Sequence, residues 1–198
     1  MLNAHKVMPP AMEVILREGT KIDGFICPGH VAVITGSSAF DFIPARYGLA
    51  CVVTGFEPTD ILSSVLMLVR QVNSRSPGVE IQYSRAVSVE GNARAKGFMN
   101  EVFEPCDVDW RGLGVIASGG LQNRERYMRF DAAADFAVDL PEASHANACI
   151  CGDILRGVST PPECTLFAEA CTPDHPEGAC MVSDEGSCNT YFKYHHHE

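Results

Sequence analysis

The sequence has no hydrophobic run long enough to cross a membrane. Its longest uninterrupted apolar runs, such as Val65–Val69, have only five residues, against the roughly 20 apolar residues that span a bilayer. The N-terminal segment contains Pro9, Pro10 and several charges, where a signal peptide needs an unbroken apolar stretch. We therefore expect no membrane association and a cytoplasmic location.

Basic residues are also scarce. The chain of 198 residues has 15 lysines and arginines against 25 acidic residues, which gives a formal net charge of −10. General binding to nucleic acid requires basic side chains that neutralise phosphates, so the charge balance argues against a nucleic-acid partner. The 46% of apolar residues is typical of a globular protein with one substantial core and at most one small additional domain.

Over residues 1–144, short apolar segments alternate with segments of helical pattern. The expected strands are Gly24–Cys27, Leu49–Phe56, Val79–Val89 and Leu113–Ala117; the expected helices are a stretch that runs through Phe42 and ends near Tyr47, then Ile61–Val72 and Asn92–Phe103. Either Thr59 or Asp60 would cap the second helix. The alternation predicts an α/β fold with a Rossmann-like, mainly parallel sheet and flanking helices.

Two loops of this α/β part follow predicted strands. Cys27–His30 follows the first strand and Gly55–Pro58 the second. Ligands of parallel sheets bind beyond the carboxyl ends of the strands, so Cys27, His30 and Glu57 would meet at one edge if the two strands are neighbours. In the structural alternative, Cys27 packs in the core, His30 begins a helix and Glu57 supports a helix N-terminus. Spacing alone leaves both interpretations open.

No Cys-x-x-Cys pair occurs in the chain, although it has nine cysteines. Six crowd into the loop-rich C-terminal segment, at Cys149, Cys151, Cys164, Cys171, Cys180 and Cys188. Such a segment buries too little surface to fold alone and needs a metal or cross-links. In a reducing compartment, clustered cysteines are more often metal ligands or redox-active thiols than disulfides. Four thiolates suit a [4Fe–4S] cluster, but the spacing neither excludes zinc nor says which four are ligands.

Several long motifs follow one another in the order of a known family. They are CPGHV at 27–31, TGFEP at 54–58 and WRGLG at 110–114, then CxCGDxLRG, PxxCTLFxxxCTP and GACMVSxEGxC in the tail. With these motifs the sequence resembles the HypD family of [NiFe]-hydrogenase maturation proteins over nearly its whole length. The resemblance implies α/β structure followed by a small, loop-rich iron–sulfur domain, here residues 145–198.

The resemblance also implies site residues. The family's spacing C-x12-C-x6-C-x16-C is met by the expected ligands of a [4Fe–4S] cluster, Cys151, Cys164, Cys171 and Cys188. Cys149 and Cys180 then lie outside the ligand set, and we expect buried thiols there rather than redox partners. Outside the cluster, the resemblance indicates His30, Glu185 and Glu57 as functional residues.

The function implied is that of an assembly scaffold with redox activity rather than a conventional turnover enzyme. Proteins of this kind work with a HypC-type chaperone, and an iron ion on them receives cyanide and carbon monoxide ligands. A HypE-type partner delivers the cyanide, and the transient Fe(CN)2CO unit passes to the hydrogenase large subunit. A free-standing iron–sulfur electron-transfer protein and a zinc-stabilised binding module are the alternatives.

One departure from the family affects this expectation. Family members are much longer and carry an earlier α/β domain with a Cys-Pro-Val-Cys motif, which this sequence does not contain. We therefore expect the chain to hold a cluster but not to assemble Fe(CN)2CO by itself.

Overall fold

The computed structural model of the chain describes residues 3–136 and 148–195. The chain divides into two compact units. The α/β unit is Ile22–Glu104, and the cysteine unit combines Met1–Lys21 with Pro105–Glu198. The expected domain boundary between residues 144 and 145 lies outside the described residues and stays a prediction.

Short helices and strands alternate along the described chain. The helices are α1 (Met8–Arg17), α2 (Gly29–Thr35), α3 (Phe42–Tyr47), α4 (Pro58–Ser74), α5 (Ala93–Val102), α6 (Ala132–Asp135), α7 (Cys151–Leu155), α8 (Ala179–Val182) and α9 (Ser187–His195). The strands are β1 (Gly24–Pro28), β2 (Ala50–Thr54), β3 (Val79–Ile81), β4 (Phe103–Trp110) and β5 (Gly114–Asn123). Within the described residues, no helix combines the length and the apolar character needed to cross a membrane.

The sheet of the α/β unit has the strand order β1-β2-β3, and both pairings are parallel. Its register sets Cys27 opposite Val53 and Cys51 opposite Val79. The central strand β2 is buried along its whole length, since it has a neighbouring strand on each side and α4 packed against it. The predicted α/β fold with a parallel sheet is confirmed.

The segment between β1 and β2 is helical, as predicted, but it is broken in the middle. The break falls at Gly36, which has a φ of +86° and approaches the backbone so closely that a Cβ there would lie 2.2 Å from the carbonyl oxygen of Val89. A short 3-10 turn at Ser37–Phe40 separates α2 from α3. The last of these helices ends at Gly48 in the left-handed conformation, which glycine adopts without strain.

The third predicted strand is wrong in its length, because β3 ends at Ile81 and does not reach Val89. The backbone N–H groups of Gln82 and Tyr83 both donate to the carbonyl oxygen of Val53, at 2.9 and 3.1 Å. This shared acceptor ends the regular ladder, and the chain then turns away from the sheet. Further on, α5 forms as predicted, and the Oδ1 atom of Asn92 caps it by accepting from Ala95 N–H at 3.0 Å.

Helix α4 contains the predicted segment Ile61–Val72, but its start and orientation differ from expectation. The capping position is Glu57, so the assignment of Thr59 or Asp60 as the cap is wrong. The helix reverses the usual amphipathic pattern, in which apolar side chains are buried and polar side chains are exposed. Its buried side chains are polar: Asp60, Ser64 and Gln71. Its exposed side chains include an apolar set that we call the α4 apolar face: Leu62, Val65, Leu66, Val69 and Val72.

In the cysteine unit, β4 and β5 form a two-stranded sheet. Helix α1 packs on β5, and Lys6 forms an antiparallel bridge with Gly120. The predicted strand at 113–117 is therefore present but longer. It is also not fully buried, since Val115 is 73% exposed. The turn between β4 and β5 carries the WRGLG motif, and Leu113 N–H donates to the carbonyl oxygen of Trp110 at 2.9 Å.

Candidate metal centre

The buried core of the cysteine unit consists mainly of cysteine side chains. Five cysteines are at least nine-tenths buried there together with Met181 and Ile154, and Cys149, which is partly buried, packs against them. Those five are Cys151, Cys164, Cys171, Cys180 and Cys188. They come from different short elements, which is the arrangement expected when loops from several directions hold one centre.

Local hydrogen bonds fix the turns that carry Cys164 and Cys171. A 3-10 turn precedes Cys164, and the Glu163 carboxylate closes a capping box by accepting from the backbone N–H and the hydroxyl of Thr160, at 2.5 and 2.9 Å. The N–H of Cys171 donates to the carbonyl oxygen of Leu166 at 2.8 Å. The positions of the two thiols are therefore set by hydrogen bonds within the chain.

Two glycines lie beside the cysteine core. A Cβ on Gly178 would lie only 2.6 Å from Cys149 Sγ, so a side chain there would displace the sulfur, whereas a Cβ on Gly112 would make an ordinary contact with Cys151 at 3.4 Å. Gly112 also has a φ of +78°, a conformation that favours glycine. The WRGLG and GAC motifs therefore serve the cysteine core, which their sequence alone did not indicate.

Four of the six sulfurs act on one another electrostatically. Burial raises the pKa of the Cys188 thiol to about 11, and the neighbouring charges of Cys171, Cys164 and Cys149 add to the shift. Burial likewise raises the pKa of Cys149, which a hydrogen bond from the backbone of Cys151 lowers and the charges of Cys164 and Cys171 raise. Sulfurs that repel one another as thiolates at one buried place favour a cation between them.

The remaining two cysteines form a disulfide. Cys151 and Cys180 are bonded through their sulfurs with their Cα atoms 6.3 Å apart, within the usual range for a disulfide. The structure here differs from the expected ligand set, in which Cys151 was a ligand and Cys149 and Cys180 were separate buried thiols. The physical reason is that Cys151, at the start of α7, is directed to α8, whereas Cys149 lies before the helix beside the other thiols.

The sulfur of Cys171 has an additional polar contact, because Glu177 N–H donates to its Sγ at 3.4 Å. A single zinc ion requires its ligands about 2.3 Å from one point. In the part of the chain that the structure describes, no group of three or more cysteine, histidine or carboxylate side chains is arranged to hold a metal ion. Glu185 is exposed in the turn between α8, which carries Cys180, and α9, which carries Cys188.

The second group of predicted site residues lies in the α/β unit, at the carboxyl edge of its sheet. His30 is exposed in the first turn of α2, and its ring packs on Phe56 of the neighbouring loop with the centroids 4.3 Å apart. Tyr83 approaches the same imidazole, at a centroid distance of 6.2 Å. The two loops singled out from the sequence therefore meet at this edge through His30 and Phe56.

Cys27 does not join them. Its side chain is buried in the core, and its Sγ lies 3.2 Å from that of Cys51 on β2. This contact is the main cause that raises the pKa of the Cys27 thiol, with burial the second. Glu57 is exposed at the N-terminus of α4, where a negative charge is favourable. For Cys27 the structure thus follows the structural alternative.

An ion pair that the sequence did not indicate lies behind this edge. Asp60 is buried, and its carboxylate accepts two hydrogen bonds from Arg85, at 3.0 and 2.5 Å, and one from Gln82 at 2.9 Å. The Arg85 guanidinium and the Gln82 amide hold the pKa of Asp60 well below its usual range. Arg85 also lies over the ring of Tyr83, at 4.3 Å from its centroid. No local signal distinguishes Asp60 from an ordinary first-turn carboxylate.

The fold and the site define an α/β protein with a buried centre of six cysteines. Sequence comparison identifies the family. The HypD family model, described as the hydrogenase formation hypA family, matches residues 1–195. The chain belongs to the HypD family of hydrogenase formation proteins, as its motifs predicted.

Individual relatives are similar along almost the whole chain. A putative hydrogenase expression/formation protein of Methanocaldococcus jannaschii is 46% identical over 196 residues, which cover 98% of this chain and 54% of that protein. The hydrogenase maturation factor HypD1 of Bradyrhizobium diazoefficiens is 46% identical over 198 residues, with coverages of 96% and 52%. HypD of Cupriavidus necator is 42% identical over 202 residues, with coverages of 98% and 53%. The chain thus spans about half the length of the curated relatives it matches.

Proposed function

We propose that this chain acts in hydrogenase maturation as the part of the scaffold that carries a [4Fe–4S] cluster. The observation that supports the proposal is the core of six cysteines, in which four thiols act on one another and two form a disulfide. The wider assembly, on which Fe(CN)2CO is built as cargo with HypC-type and HypE-type partners for a hydrogenase large subunit, belongs to the same proposal.

The residues that would hold the cluster are Cys149, Cys164, Cys171 and Cys188. Their chemistry fits the group, because [4Fe–4S] clusters are held by four cysteine thiolates. Because burial raises the pKa of Cys149 and of Cys188, binding of a cation there would have to displace their protons.

When bound, a [4Fe–4S] cluster supplies single electrons at a potential set by its surroundings. The protein provides those surroundings. Glu177 N–H donates to the sulfur of Cys171, which stabilises charge on that thiolate. The buried position of Cys171 and Cys188 excludes water from them.

The disulfide is the chain's own redox group. Its reduction breaks the bond between Cys151 and Cys180 and consumes two electrons and two protons to give two thiols. Only one residue separates Cys151 from Cys149, and the Cys151 backbone hydrogen-bonds to the Cys149 thiol. The disulfide therefore adjoins a proposed ligand. His30, Glu57 and Glu185 stay candidates for contact with the iron cargo or a partner protein, since all three are exposed.

The test compares Cys149 with Cys151, from which it is separated by one residue. After anaerobic purification we expect about four irons and four sulfides per chain, with a broad brown visible absorption. Cys149→Ala should lose most of the iron, whereas Cys151→Ala and Cys180→Ala should keep it and lose the disulfide. Loss of iron in Cys151→Ala with retention in Cys149→Ala would restore the ligand set expected from the sequence. Zinc without sulfide in the native chain would contradict the cluster.

A further inference from the structure

Helix α4 exposes the side chains that a helix of this kind normally buries. Leu62 is 70% exposed and Leu66 is 50% exposed, and the three valines of the α4 apolar face are each more than 40% exposed. These positions follow one another at intervals of three, one, three and three residues, so they form one continuous stripe along the helix. Single exposed aliphatic residues are common, but a continuous stripe marks an interaction surface.

The orientation of the helix is fixed from its other side. The hydroxyl of Ser64 donates to Thr54 Oγ1 at 2.7 Å and lies 2.9 Å from the carbonyl oxygen of Asp60. The Gln71 amide donates to the Glu80 carboxylate at 2.7 Å and accepts from Gly78 N–H at 2.9 Å. Rotating the helix to bury its leucines and valines would break these bonds and leave buried polar groups unpaired. The stripe is therefore turned outward by the fold itself.

A groove extends the same surface towards the edge of the sheet. It has a volume of about 410 Å³ and is lined by Asp23, Gly24, Leu68, Val69, Val72 and Asn73. Among the described residues, β1 pairs only with β2, so its other edge is open beside this groove. Ile26 on that strand is 43% exposed. The surface thus combines an apolar helix face, a groove and a strand edge.

Two observations indicate what covers it. The curated relatives are about twice the length of this chain, so roughly half of each relative has no counterpart here. A second copy of the chain is a poor partner, because each copy carries a formal net charge of −10 and like charges oppose self-association. We propose that the α4 apolar face binds a polypeptide equivalent to the half of its relatives that this chain does not match, through a complementary apolar surface.

The test is coexpression of the full chain, tagged, with the unmatched half of the M. jannaschii protein. We expect the half to copurify in equimolar amount and to slow backbone hydrogen exchange over residues 58–74. Replacing both leucines, Leu62→Gln with Leu66→Gln, should reduce retention of the half about tenfold or more, because buried aliphatic anchors carry much of an interface's affinity. Circular dichroism should be unchanged, since both side chains are exposed in the free chain.

The matched control is Val115→Gln, an equally exposed apolar position on β5, which should leave retention unchanged. Three results would overturn the proposal: a half that does not copurify, retention that the double substitution leaves intact, or a dimer of the chain alone that the double substitution separates. The iron content of each variant is measured in parallel. It should not change, so failure of this interface is distinguishable from failure of the proposed cluster.

Discussion

The carboxylate of Asp60 shows how one residue holds the edge that carries His30. It accepts from Arg85 and Gln82, and both partners belong to the segment that follows β3. Since Gln82 in turn accepts from Gly55 N–H at 3.2 Å, the carboxylate ties that segment to the loop between β2 and α4. Tyr83 and Phe56, which flank the imidazole, are positioned by this network.

This network makes the stability of the α/β unit depend on pH. The pKa of Asp60 is lowered in the folded protein, so its contribution is fully present above the ordinary carboxyl value of about 3.9 and is lost as the pH falls below it. We expect Asp60→Asn to reduce the free energy of unfolding at pH 7 and the difference from the native chain to shrink below about pH 4. Urea unfolding at several pH values measures this.

The control for that measurement is Asp41→Asn, which changes an exposed carboxylate of the same unit. It should alter stability little at any pH. A difference between Asp60→Asn and the native chain that is constant down to pH 3 would show that the ion pair does not carry the effect.

At the scale of elements, α4 is attached to the sheet through polar contacts rather than through apolar packing alone. Gln71 makes the largest number of them. Its amide reaches the carbonyl oxygen of Cys51 at 3.3 Å and the carboxylate of Glu80, and its oxygen accepts from Gly78. Each partner would be left without this bond if the side chain were apolar.

We therefore expect Gln71→Leu to destabilise the α/β unit by about 1–3 kcal/mol, although it makes the helix more hydrophobic, because buried groups lose their hydrogen-bond partners. Asn73→Ala, at an exposed position of the same helix, should change the free energy of unfolding by less than about 0.5 kcal/mol. Equilibrium unfolding in urea compares the two. An unchanged or more stable Gln71→Leu variant would contradict this account of how the helix is held.

Several elements could be predicted from sequence signals within or next to the element itself. The end of α3 at Gly48 and the start of α5 just after Asn92 both depend on residues adjacent in sequence, and both lie within a residue or two of the predicted helix ends. The length of β3 and the orientation of α4 depend on distant partners, such as Val53 for Tyr83 and Glu80 for Gln71. Periodicity cannot show these partners, so it predicted a longer strand and placed no polar side chain on the buried face.

The candidate site, too, could be predicted from the sequence only in part. The crowding of six cysteines, and their delivery by separate loops, could be predicted from composition. Which two of them form a disulfide could not be predicted, because Cys151 and Cys180 are 29 residues apart in sequence and only the fold brings them together. The spacing implied by the family resemblance selected Cys151, which lies two positions after Cys149. The structure separates them by placing Cys151 on α7 and Cys149 before it.

For the whole molecule, the two units differ in what stabilises them. The α/β unit has an ordinary core of β2 and its neighbours, whereas the core of the cysteine unit consists largely of cysteine side chains. If the cysteine unit holds the proposed cluster, removal of its iron should abolish hydrogen-exchange protection over residues 148–195 while β1 and β2 keep theirs, because metal binding and folding are coupled in such units. Loss of protection in both units together would contradict this independence.

The chain's length sets a second expectation for the whole molecule. Because it matches only about half of each relative, we expect expression of this chain alone in a strain that lacks the maturation factor to leave hydrogenase activity far below normal. Coexpression of the unmatched half of the M. jannaschii protein should raise it. Full activity from the chain alone would show that one half suffices.

The outward-facing leucines and valines of α4 have a consequence for the life of the protein in the cell. If the α4 apolar face has the partner proposed above, copies without that partner keep the stripe exposed, and exposed apolar segments promote aggregation and capture by chaperones and proteases. Copies that bind the partner would cover the stripe. The same helix face would thus regulate abundance as well as assembly and keep the amount of this chain matched to that of its partner.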